Sequence, residues 1–146
     1  MPTEYEDSFS RQLRAFAATL ARILDLRGAG LIEDARAALE RAHQILLGDQ
    51  HDVLRRVDAI TAARMLYAPV RIAAYARLVR EEAELAIDAV EAPALRQRAL
   101  ELALEALLGG YDDEEFTQFV RDLAIEVDET RLSSIHKETL DSLRSI

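Results

Sequence analysis

Apolar residues recur along this chain at steps of three and four, the repeat of an α-helix with one buried face, and strand-like alternation is absent. Phe9, Leu13, Phe16, Leu20, Ile23 and Leu24 form the first stripe. Thr3 with Glu6 supplies a capping-box pair, so a first helix is expected from Glu4 to about Arg27. Gly28 and Gly30 then provide a stop and a corner, because glycine enters positive φ without a steric penalty. Beyond the corner, Ala35, Leu39, Ala42 and Leu46 share a face while Glu33, Asp34, Arg36, Glu40 and Arg41 point elsewhere. This predicts a second helix from about Leu31 to Leu47, with Gly48 ending it. So short a connection forces the two helices antiparallel, and alanines on the seam let them approach closely. Neither can hide its apolar face alone, so the rest of the chain is expected to supply partners.

The pattern continues with Val53, Val57 and Ile60 on a third helix that ends at Tyr67-Ala68-Pro69, since proline disfavours helical geometry in the residue before it. Pro69 suits the first position of a fourth helix carrying Ile72, Tyr75, Ala76, Val79, Ala83, Ala86 and Val90, closed by Glu91-Ala92-Pro93. A fifth helix places Leu95, Ala99, Leu102 and Ala106 on one stripe, with Leu100, Leu104, Leu107 and Leu108 widening it, and stops at Gly109-Gly110. Asp112 with Glu115 caps a sixth, marked by Phe116, Phe119, Val120, Leu123 and Val127. The last segment carries Leu132, Ile135, Leu140 and Leu143 and reads as a seventh helix or a frayed tail. The expected fold is an all-α antiparallel array of six or seven helices in a single domain over 1–146. It has a first hairpin at 4–48, middle helices at 52–92 and C-terminal helices at 93–146.

Composition agrees: half the residues are hydrophobic, led by Ala and Leu, with no Trp, five Gly and three Pro. The absence of Cys excludes a disulfide framework, a thiolate metal site and a Cys nucleophile, and it fits a reducing cytoplasm. A net charge of −9 would repel phosphate backbones and anionic lipid, so neither nucleic acid nor membrane is an expected partner. The acidic start MPTEYEDSF has no apolar run of signal length, and no stretch is long and apolar enough to span a bilayer. The expected compartment is the cytoplasm.

The run Gly30, Glu33, Asp34, Ala35, Leu39 and Ala42 resembles the second helix of a tetratricopeptide repeat, and a weaker copy lies at Ala99, Ala103 and Ala106. Ala35 and Ala99 are 64 residues apart, so the chain is not a regular array of ~34-residue repeats. The order of features from LARILDLRGAGLIEDARAALERAHQILLG through LVREEAELAID to RALELALEALL resembles a family of small bacterial helical domains of unknown function, related to tetratricopeptide repeats. The likeness covers residues 9–108; it implies fold and a bacterial source, and carries no functional residue with it.

Candidate chemistry is sparse. Glu40 and His43 make a Glu-x-x-His pair, half of a di-iron carboxylate site, but no second copy exists. His51 with Asp49 and Asp52 could hold an ion in a turn, although helix capping accounts for the aspartates. Arg131 and His136 match the R-x4-H signature of all-helical HEPN ribonucleases, and Arg36 with His43 the looser R-x6-H form. Glu81, Glu82, Glu84, Asp88 and Glu91 read as a solvated helix face, paired as Arg77 with Glu81 and Arg80 with Glu84. Arg64, Arg71, Arg77 and Arg80 belong to the same reading. Phosphate loops, dinucleotide fingerprints, H-E-x-x-H and G-x-S-x-G are all missing.

No catalytic, cofactor-binding or metal residue is therefore expected, and no cofactor. The expected function is a noncatalytic interaction module for an unidentified protein. A homodimer is its simplest case, through the apolar surface of Leu100, Leu104, Leu107, Leu108, Phe116 and Phe119. The enzyme alternative is a ribonuclease using Arg131 and His136, and a third class is apolar-ligand sequestration in a closed pocket.

Overall fold

The computed structural model describes the backbone of residues 4–145 and the side chains of 11–145. The expected Thr3–Glu6 capping pair and the side chain of Phe9 lie outside the described residues. The fold is all-α: α1 (Glu4–Gly28), α2 (Ile32–Leu47), the short α3 (His51–Arg56), α4 (Ala59–Leu66), α5 (Pro69–Glu84), α6 (Glu91–Leu108), α7 (Glu114–Ile125) and α8 (Ser134–Arg144). Seven of these are full helices, and no strand occurs among the described residues. No described helix is long and apolar enough to cross a membrane. The chain divides into two compact units, Met1–Val53 and Leu54–Ile146.

The first unit is the α1–α2 hairpin with the turn that follows it. Gly30, at φ 79°, closes α1: Leu31 N–H donates to the Leu26 carbonyl and Gly30 N–H to that of Arg27, the paired bonds of a Schellman cap. Gln12 in the first half of α1 donates from Nε2 to the Ile45 carbonyl near the end of α2, at 2.7 Å, as antiparallel helices require. Phe16, Ile23, Ala35, Ala38, Leu39, Ala42 and Leu46 are buried. The alanine seam is thus packed; among the described residues of the first stripe, Leu24 is left outside.

The second unit has its own centre. Helix α6 packs against α4, α5, α7 and α8, and its Ala99, Leu100, Leu102, Ala103, Leu104 and Ala106 are all fully buried. A helix touched on so many sides carries apolar residues around most of its circumference, which is why its pattern spread beyond one stripe. It ends on a second Schellman cap at Gly110 (φ 97°), with Tyr111 N–H on the Ala106 carbonyl and Gly110 N–H on that of Leu107.

The break in the third helix, the end of α5, the start of α6 and the cap of α7 differ from expectation, while the final segment is the helix its pattern allowed. The third helix is broken in two because Asp58 adopts an extended conformation and caps α4, its carboxylate accepting from Thr61 N–H at 2.7 Å. Its buried residues are Leu54, Ala59, Ala62, Ala63 and Leu66, while Val53 and Ile60 face solvent. Helix α5 stops at Glu84 instead of reaching Val90, and α6 begins at Glu91, with Pro93 in its first turn, where a missing N–H costs nothing. The cap of α7 is Asp113, accepting from Phe116 N–H at 3.0 Å, one residue past the expected Asp112. The final segment is a helix capped by Ser133, and its buried stripe is Leu132, His136, Leu140 and Leu143, with Ile135 exposed.

Between α4 and α5, Tyr67 sits at φ 66°, ψ −59°, and Ala68 N–H donates to the Leu66 carbonyl at 2.8 Å. That is the geometry of a strained γ-turn, forced where only two residues separate the end of one helix from Pro69 at the start of the next.

Candidate functional site

Within the first unit, the fold brings together two histidines that the sequence presents as unrelated. His43 lies on the buried face of α2, and His51 opens α3 after the turn Gly48–Gln50, in which Gly48 takes φ 54°. The two imidazoles stack with centroids 4.2 Å apart and planes 9° from parallel. His43 is 1% exposed and His51 3%. Glu40, one helical turn before His43, places Oε1 3.7 Å from His51 Nδ1. The Glu-x-x-His spacing therefore leads the carboxylate to the other histidine.

The third histidine occupies the second unit. His136 is fully buried in the first turn of α8, its Nε2 3.4 Å from Glu105 Oε2 on α6. Its Nδ1 has no hydrogen-bond partner among the described residues. Glu101, one turn before Glu105, has its carboxyl raised above the ordinary glutamate value, chiefly by burial, with His136 and Arg98 pulling the other way. Arg131 is well exposed, with Nε 3.7 Å from Asp128. The R-x4-H pair is thus split between solvent and core, and an imidazole sealed in the core cannot reach a phosphate held by an exposed guanidinium. In the looser R-x6-H pair, Arg36 bonds to Glu33 while His43 is buried.

The carboxylate-rich end of α5 is less solvated than its charge suggests. Glu81 is buried beside Arg80, at 3.3 Å. Arg80 also lies 3.8 Å from Glu84, as the spacing predicts, and 3.9 Å from Glu126, and Arg96 bridges the same two carboxylates at 3.6 Å each. This lattice fastens the end of α7 beside the end of α5 and the start of α6. Arg77, paired with Glu81 in the sequence reading, lies instead over the rings of Phe116 and Phe119, 5.5 and 4.9 Å from their centroids.

Arg98 was singled out by no motif. It donates from Nη1 to the Val57 carbonyl and from Nη2 to the Leu54 carbonyl, both at 2.6 Å, with Tyr75 beneath it. A positive fork on carbonyls left open at a helix end is a strong cap, and its partners lie too far off in sequence to leave a local signal.

The apolar surface expected to drive dimerisation is largely consumed inside the second unit, where Leu100, Leu104 and Phe116 are fully buried. Exposure falls elsewhere: Ile87 is 86% exposed, Val90 81% and Ile125 82%. Ile87 and Val90 lie in the α5–α6 connection and Ile125 ends α7, the end tied together by Arg80 and Arg96. A separate pocket of about 260 Å³ is lined by Glu129, Thr130, Lys137, Leu140 and Asp141. Compared with known protein families, curated proteins and solved structures, the chain matches none.

Proposed function

We propose that this protein is a noncatalytic interaction module that associates with a second copy of itself through the end bearing Ile87, Val90 and Ile125. The observation that carries the reading is the near-complete exposure of these three β-branched side chains at one end of a unit whose other large apolar residues, Tyr67 apart, are mostly covered. Beside them stand Arg80, Arg96, Glu84 and Glu126, an alternation of both signs on one face. A two-fold contact juxtaposes a patch with itself, so a patch holding both charges can complement its own image. The hairpin of the first unit, with Ala35 and Ala42 in its seam, supports the likeness to tetratricopeptide-type helical pairs as part of the same proposal. The proposed compartment is the cytoplasm, in keeping with a chain free of cysteine.

Sedimentation velocity across protein concentration tests it. The mass is expected to rise from 16.4 kDa towards twice that value, more readily in added salt, which screens the repulsion between two chains of charge −9. The Ile87→Asp/Val90→Asp variant is expected to stay monomeric with its helix content intact. A wild-type chain that remains monomeric throughout, or a double variant that associates as the wild type does, overturns the proposal.

A further inference from the structure

The paired imidazoles of the first unit have a chemistry that self-association does not use. We propose that His43 and His51 form a binding site for a divalent transition metal of the zinc class, with Glu40 as the carboxylate that orients His51. One ring nitrogen of each histidine lies within 4.8 Å of the other's. Two zinc–imidazole bonds meeting at a tetrahedral angle need nitrogens about 3.3 Å apart, and the in-plane lone pairs run parallel while the rings are stacked, so taking up the ion requires the two imidazoles to unstack and turn towards each other. Imidazole nitrogen favours zinc, copper or nickel over magnesium and calcium, which take oxygen ligands.

Glu40 selects the atom. A carboxylate facing His51 Nδ1 favours the tautomer with the proton on that nitrogen, which leaves Nε2 as the ligating atom. At 3.7 Å it stands just beyond hydrogen-bond reach of Nδ1, beside the place of the outer carboxylate that commonly accompanies metal-bound histidine. The ion is held from two sides of a three-residue turn: His43 lies about one turn before the end of the helix that precedes Gly48–Gln50, and His51 opens the helix after it. Binding would therefore pin the α2–α3 turn, and water would complete the coordination.

The test is zinc chloride titrated calorimetrically into the full chain after chelator treatment, with magnesium chloride as the comparison. The expected result is one zinc per chain, unaffected by excess magnesium and weakening as pH falls and protons compete for the ring nitrogens. His43→Gln and His51→Gln should each abolish binding, and Glu40→Gln should weaken it about tenfold. A second readout needs no variant: with only three histidines, imidazole nitrogen NMR resolves each ring. Zinc should move the resonances of His43 and His51, with His51 Nδ1–H retained, and leave His136 unchanged. Absence of zinc uptake at millimolar concentration, unchanged binding in both histidine variants, or shifts confined to His136 would each overturn the assignment.

Discussion

The two units bury helix faces by different means. In the hairpin the seam is small and apolar: Ala35 and Ala42 let the backbones close, and Phe16 and Ile23 fill what remains. In the second unit the helices around α6 are joined as much by polar groups, with Arg98 capping Leu54 and Val57, His136 meeting Glu105, and Arg80 and Arg96 gathering Glu84 and Glu126. A seam of alanines tolerates loss of volume poorly and gain of volume worse, because interiors are close-packed. A polar junction fails instead when one partner is removed and the other is stranded. The units should therefore respond to opposite kinds of substitution.

The largest effect is expected at Arg98. Removing the guanidinium leaves two carbonyls without their donors and uncovers the face of Tyr75, so Arg98→Ala should cost about 3 kcal/mol in chemical denaturation. Arg98→Lys should recover less than half, since an ammonium cannot span both carbonyls as the planar fork does. Full rescue by lysine would mean that charge alone, without geometry, holds the junction.

In the hairpin the informative change adds atoms. Ala42→Leu forces a larger side chain between α1 and α2 and should cost about 2 kcal/mol, whereas Ala37→Leu, on the exposed face of the same helix, should be near neutral. Equal effects at the two positions would show that the seam is loose, and with it the contrast between the units would disappear.

The same contrast explains what could be read from the chain beforehand. Periodicity located the hairpin because Ala35, Leu39, Ala42 and Leu46 report a single local geometry, and Gly30 and Gly110 marked helix ends whose caps involve only neighbouring residues. It placed the end of α5 too late, since Ala86 and Val90 continue the spacing by coincidence while Glu91-Ala92-Pro93 opens a helix. His136 was legible in principle: steps of four, four and three join Leu132, His136, Leu140 and Leu143, and only its polarity disguised it as a site residue. The His43–His51 stack and the Arg98 cap could not be read at all, because each depends on where a turn or a distant helix delivers its partner.

The smallest expected effect is the one most specific to the polar unit. Burial raises the Glu101 carboxyl above its ordinary value of 4.5, so the folded state holds this proton more tightly than the unfolded chain does. Above the raised value the carboxylate is charged in both states, and folding bears the cost of its partial desolvation. As pH falls through the raised value the folded state takes up the proton first and the cost is relieved; below the ordinary value both states are protonated and nothing remains of it. Glu101→Gln should therefore raise the melting temperature at neutral pH, with the gain shrinking on acidification and vanishing below 4.5. His136 and Arg98 favour the charged carboxylate while Asp58 opposes it, so the gain should be larger in a His136→Gln background. A gain independent of pH would assign the effect to packing or helix propensity and remove charge burial from the description of α6.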